Sequence, residues 1–137
     1  MHHETNPALE ERVKYITSHP RRHGQELNST TDYFNAITEA CEFIRAKTGV
    51  EKFDVSIILG SGHRKIAYER LEESLIIDFA EIPNFPIPTN IGHGRDLVAG
   101  KIHGKNVLAF TGRIHMFEGY RHQYLNWLQC VAIFLGC

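Results

Sequence analysis

Hydrophobic positions along the chain fall into separate blocks, each with its own period. Phe34, Ile37, Cys41 and Ile44 recur on one helical stripe, and Gly49 stands where a helix would stop. That spacing predicts a helix over roughly 32–47. Phe53-Asp54-Val55-Ser56-Ile57-Ile58-Leu59 begins as an alternation and ends as a continuous apolar run. It predicts a strand buried on both faces at its far end, running directly into Gly60-Ser61-Gly62. Leu75-Ile76-Ile77-Asp78-Phe79 predicts a second strand. Pro83, Pro86 and Pro88 then exclude regular structure over about 83–90, and Gly92-His93-Gly94 continues that loop. Two further strands are predicted over 97–102 and 106–111, joined by a hairpin turn at His103-Gly104-Lys105. A last helix is predicted over about 122–135, with Leu125, Leu128, Val131, Ala132 and Leu135 as its apolar face.

This order of elements reads as an α/β domain on a mixed β-sheet with flanking helices, covering residues 31–137. Residues 1–30 are polar and weakly patterned and read as a mobile N-terminal arm with one short helix over 7–17. An α/β pattern that reaches an apolar helix ordinarily continues into another strand, so the sequence reads as part of a longer domain whose C-terminal half is absent.

Composition narrows the partners. The chain is 42% hydrophobic and 23% charged, with a net charge of -1, as expected of a soluble domain with no nucleic-acid or anionic-membrane partner. No run approaches the roughly 18 apolar residues of a membrane span. The start, Met1-His2-His3-Glu4, lacks the apolar core of a signal peptide. Cys41, Cys130 and Cys137 are widely spaced with no Cys-x-x-Cys pair, which suggests reduced thiols and a cytoplasmic protein.

The candidate chemistry lies in loops. Gly60-Ser61-Gly62 follows a buried strand, where glycines admit a ligand to the backbone and the Ser61 hydroxyl adds a donor. A tight turn is the plain alternative. The dinucleotide and triphosphate fingerprints both need glycine where this chain has Lys65. In Gly112-Arg113-Ile114-His115, an extended backbone would put Arg113 and His115 on one side. The Arg fork matches two phosphate oxygens, and the histidine can add a third donor. A surface Arg and a half-buried His are the plain alternative. His93 is one polar handle on a glycine loop. Nine histidines raise the question of a metal, but no His-Glu-x-x-His or zinc-spaced Cys/His set is present, and none is expected. Glu10-Glu11 and Glu72-Glu73 read as solvated faces, and Cys41 as core packing.

In order and in register, four blocks of this sequence resemble the trimeric purine nucleoside phosphorylases. They are Ile57-Ile58-Leu59-Gly60-Ser61-Gly62; Ile82-Pro83-Asn84-Phe85-Pro86; Gly92-His93 with Leu97-Val98; and Gly112-Arg113-Ile114-His115-Met116-Phe117-Glu118-Gly119-Tyr120. The resemblance runs from about residue 32 onward. It implies the N-terminal part of the nucleoside phosphorylase fold and phosphorolysis of purine ribonucleosides to free base and ribose 1-phosphate, in purine salvage. It implies no cofactor, inorganic phosphate as co-substrate, and a homotrimer. By the same resemblance Ser61, Arg113 and His115 bind phosphate, His93 closes over it as the catalytic histidine, and Phe117 lies along the ribose. A purine-recognising Glu and Asn and a second phosphate serine are implied beyond Cys137. The chain departs from the family pattern at His63-Arg64, where Leu-Gly is usual, at Arg95 in place of a glycine, and at Phe117 in place of a common tyrosine. Two other readings stay open: a phosphorylase of the methylthioadenosine type, and a truncated, non-catalytic fragment that binds phosphate or a sugar phosphate.

Overall fold

A computed structural model describes residues 30–60, 62–86, 96–112 and 126–137. Within them lie helix α1 (Thr30–Thr48), strand β1 (Val55–Ile58), helix α2 (Arg64–Arg70), strand β2 (Glu72–Asp78), a 3-10 turn (Phe79–Glu81), strand β3 (Asp96–Ile102), strand β4 (Lys105–Phe110) and helix α3 (Trp127–Phe134). The arm over residues 1–29 lies outside the described residues.

The strands form one mixed sheet in the order β1-β4-β3-β2. β1 pairs with β4 in parallel, Val55 against Val107 through Ile58 against Phe110. β3 pairs antiparallel with both β4 and β2. The mixed sheet and flanking helices match the architecture read from the sequence. The hairpin also stands where turn chemistry put it. Ile102 faces Lys105 across His103-Gly104, whose φ angles of 49° and 77° give the left-handed two-residue turn that suits twisted strands.

The period-2 rule divides the two central strands between two cores. Leu97, Ala99, Leu108 and Phe110 face α1 and α3; Val98, Val107 and Ala109 face α2. This two-sided cover explains why β3 and β4 read as apolar runs rather than alternations. The larger core takes Ile37, Cys41 and Ile44 from α1 and Trp127, Leu128, Val131 and Leu135 from α3, with Phe53, Phe79 and Phe85 filling around them. Trp127 meets Tyr33 and Phe85 edge-to-face, at centroid distances of 5.6 and 6.3 Å. Phe34, placed on the same stripe by its spacing, instead stacks on Phe134 at 5.5 Å and stays half exposed. Cys41 is buried, and burial pushes its thiol up to about 11, which fits packing and not nucleophilic chemistry.

One expectation is corrected and one element is added. β1 is not buried on both faces at its far end: Ile58 is 37% exposed, while Leu59 after it is buried. Among the described residues β1 has a neighbour on one side only, so its outward positions lie beyond the helices that cover the centre. Residues 64–70, to which the sequence reading assigned no element, form α2. Only Ala67 of that helix is fully buried, which leaves too thin a stripe for periodicity to reveal.

Three local devices fix the ends of elements. Gly49 takes φ +70° and donates to the Arg45 carbonyl at 2.8 Å, a left-handed stop for α1. Arg45 donates through Nη2 to the Phe134 carbonyl at 2.8 Å and through Nε to the Glu51 carbonyl at 2.9 Å, tying the C-terminal ends of α1 and α3 together. Asn84 donates to the Ala36 carbonyl at 3.1 Å and to Glu39 at 2.9 Å, which holds the Pro83–Pro86 turn against α1.

Gly100 of β3 lets α2 approach the sheet. A Cβ there would lie 2.7 Å from Cβ of Leu71 and 3.0 Å from the Glu72 carbonyl. Gly100→Ala is therefore expected to destabilise the fold by about 1–3 kcal/mol through overpacking. Gly60→Ala, where a Cβ meets nothing within 4 Å, should stay within about 0.5 kcal/mol. Urea unfolding midpoints of the two variants check the contrast.

Candidate functional site

Ser61, His93, Arg113, His115 and Phe117 all lie outside the described residues. The residues that flank them are described, and they meet at one end of the sheet. Because β1 and β4 are parallel, both run out at the same edge, where Ile58 faces Phe110 and the Leu59 N–H donates to the Phe110 carbonyl at 2.8 Å. Gly60 leaves the first of these strands and Gly112 the second. β3 is antiparallel to β4, so its first residue, Asp96, stands at this end too and closes the segment that carries His93. The roots of the Ser61, His93 and Arg113 segments thus sit on adjacent strands. Sequence spacing alone could not establish this, because the register joins residues some fifty positions apart.

The described part of the Gly60-Ser61-Gly62 loop is open. His63 N–H donates to the Gly60 carbonyl at 3.0 Å, closing a tight turn, and α2 begins at the next residue. Gly60 does not adopt a left-handed φ, and a Cβ on Gly60 or Gly62 would meet nothing within 4 Å. Among the described residues, neither backbone conformation nor crowding at Gly60 requires a glycine.

Behind the loop roots lies a buried polar cluster that the sequence reading missed. Asp96 is 3% exposed and Thr111 1% exposed. The Thr111 N–H donates to the Asp96 carbonyl at 3.0 Å. The Thr111 hydroxyl donates to the same carbonyl at 3.0 Å and accepts from the Asp96 N–H at 3.1 Å. From α2 the Tyr68 hydroxyl donates to Oδ2 of Asp96 at 2.7 Å. Burial first, and then the Asp96 hydrogen bond and charge, push the Tyr68 phenol up to about 12; Thr111 and the Arg64 charge pull weakly the other way. The available signal was Asp96 itself, a charged residue opening an apolar strand. Among the described residues no His/Cys/Asp/Glu group is arranged to hold a metal ion. No described helix is long and apolar enough to cross a membrane.

The described elements form an α/β domain on a mixed sheet, with two candidate ligand loops leaving the carboxyl ends of the parallel pair β1 and β4. Within that class the chain is similar to purine nucleoside phosphorylases. It is 39% identical over 85 residues to purine nucleoside phosphorylase 1 of Geobacillus stearothermophilus, covering 62% of this chain and 30% of that protein. It is 38% identical over 100 residues to purine nucleoside phosphorylase 1 of Bacillus subtilis, covering 73% of this chain and 36% of that one. In three dimensions it matches isoform 2 of the Schistosoma mansoni purine nucleoside phosphorylase, solved in complex with cytosine and ribose-1-phosphate, at a TM-score of 0.66 and 37% identity over 75% of this chain and 35% of that one. The described sheet and helices are thus part of the purine nucleoside phosphorylase fold. The chain spans about a third of the length of the curated relatives it matches. No protein-family profile matches it.

The Tyr68 environment generates a pH prediction. Its folded pKa, about 12, lies above the ordinary 10. The stabilisation from the protonated phenol is therefore complete below pH 10 and is lost as pH rises through 12. The stability gap between the wild type and Tyr68→Phe should narrow over that window in urea titrations at fixed pH. A late-ionising phenol, followed by tyrosinate absorbance, should vanish in the variant.

Proposed function

We propose that the protein carrying this chain is a purine nucleoside phosphorylase, a pentosyltransferase that cleaves purine ribonucleosides with inorganic phosphate. The observation that carries this reading is the convergence of the Ser61, His93 and Arg113 segment roots at one sheet end, in a chain similar to proteins of that name. Ser61, Arg113 and His115 hold the phosphate, His93 acts on it from the preceding loop, and Phe117 lies along the ribose. Phosphate is the nucleophile. Its oxygen bonds to the anomeric carbon while the bond from that carbon to the purine nitrogen breaks, and the electron pair leaves with the base. Holding the anion below that carbon and in line with the departing base lowers the entropy barrier. The ribose becomes cation-like as the bond opens, and the fixed phosphate stabilises that charge. The reaction draws on no cofactor beyond its co-substrate. The relatives' binding of ribose-1-phosphate supports this substrate class. A homotrimer working in the cytoplasm in purine salvage follows from the resemblance.

Inosine supplied with phosphate should release hypoxanthine at a rate that saturates with phosphate. Release that ignores phosphate would replace the phosphorylase with a hydrolase. Comparing kcat/KM for inosine, guanosine and methylthioadenosine sets the base preference. Arg113→Ala should weaken phosphate binding by roughly 10- to 100-fold, the loss of a charge-assisted contact worth roughly 1.5–3 kcal/mol. Calorimetric titration of phosphate into the wild type and the variant measures it.

A further inference from the structure

We infer that Tyr68, Asp96 and Thr111 form a buried clamp that sets the three loop roots of the proposed phosphate site relative to one another, with Tyr68 and Asp96 as positioning residues. The inference rests on the phosphorylase reading for its purpose, and on described geometry for its form.

Each member of the clamp belongs to a different candidate segment. Tyr68 sits on α2, the helix that begins just after Gly60-Ser61-Gly62. Asp96 is the first residue of β3, directly after the segment that holds His93. Thr111 follows the last residue of β4, two positions before Arg113. The β3–β4 ladder ends at Phe110 and Leu97, while Asp96 still pairs with Asp78 of β2. Beyond it the Thr111 hydroxyl bridges both backbone groups of Asp96, at 3.1 and 3.0 Å. This locks the start of one loop to the end of the other. The 2.7 Å bond from Tyr68 then ties that locked pair to the helix behind the third loop. The bond is short and charge-assisted, and it joins to the strands a helix in which Ala67 is the one fully buried residue. A phosphate bound by groups from all three segments needs those groups fixed to within about half an ångström, and supporting hydrogen bonds of this type provide that.

Two measurements on the whole chain test the clamp. The first is hydrogen exchange in the wild type and Tyr68→Phe, which loses only the hydroxyl. Amides at Gly62, Asp96 and Gly112 should exchange about tenfold faster in the variant while α1 and α3 stay unchanged. Equal exchange at all three positions overturns the clamp, whether or not phosphate binds. The second is the dissociation constant for inorganic phosphate. Tyr68→Phe should raise it about tenfold, as loss of a supporting contact does, and Asp96→Asn, whose amide oxygen still accepts from Tyr68, should remain within about threefold of the wild type. An unchanged constant in Tyr68→Phe overturns the positioning role and leaves the phosphorylase reading intact. A wild type that fails to bind phosphate overturns the phosphate site, and the clamp is then judged on exchange alone.

Discussion

Strand β4 has its two edges committed differently, and the rest of the domain follows from that. One edge takes β1 in parallel and the other takes β3 antiparallel. The parallel partner brings the Gly60 and Gly112 exits to the same end, and the antiparallel partner returns Asp96 there. The register that does this is fixed by side-chain size. Leu108 and Phe110 fill the deep core under α1 and α3, while Val107 and Ala109 fit the thin one under α2. A slip of one residue would exchange the two sets, burying small groups in the large core and forcing Phe110 into the shallow side. Such a slip would also part the loop roots, so core packing and site geometry are settled by the same register.

The two faces are unequal in what they bury. The α1/α3 face gathers Trp127, Phe53, Phe79, Phe85 and Phe110, all fully buried, and it is stitched by Arg45 and Asn84. The α2 face has a cluster of small and medium side chains and a helix of seven residues. Apolar burial contributes roughly 25 cal/mol per Å², so the first face carries most of the stability. Of the candidate loops, the one at Gly60 leads directly into α2 on the lighter face. Binding segments are commonly drawn from the less stable part of a domain, because they must accommodate a ligand. Under that condition polar contacts such as Tyr68–Asp96 matter more, since α2 has little apolar area to hold it.

Local chemistry was legible and long-range chemistry was not. The hairpin could be read because His103-Gly104 supplies the left-handed residues its turn requires. α1 could be read because its buried residues recur at the helical period from Ala36 to Ile44, about two and a half turns, and the helix stops at Gly49. α2 could not, since its contact with the sheet reduces to Ala67, Tyr68 and the cap residue Leu71. β2 begins at Glu72, three residues before its first aliphatic, with an irregular register between Glu72 and Leu75 that hides the alternation. β1 read as doubly buried because an apolar run records composition, and its edge position depends on pairing. For the site, candidate phosphate residues were singled out by type and order, Ser61, His93, Arg113 and His115 among them, and their own placement lies outside the described residues. The convergence of their flanks depends on Val55 meeting Val107, which no local pattern encodes. Asp96 and Tyr68, 28 positions apart, escaped for the same reason.

The charge balance of that cluster gives the departures from the resembled family a physical setting. A buried carboxylate near a proposed phosphate site opposes the anion, because the interior screens charge poorly. Asp96 is such a group, at 3% exposure. The Tyr68 hydroxyl donates to it at 2.7 Å and adds no charge of its own. Arg64 stands one helical turn before Tyr68 on α2, and its charge is felt at the very hydroxyl that bonds Asp96. Arg64 is also the residue that replaces a glycine of the resembled loop. A cation there offsets the carboxylate at the root of the neighbouring segment. The departure at position 64 therefore places a cation on the same short helix that carries the Tyr68 donor to Asp96.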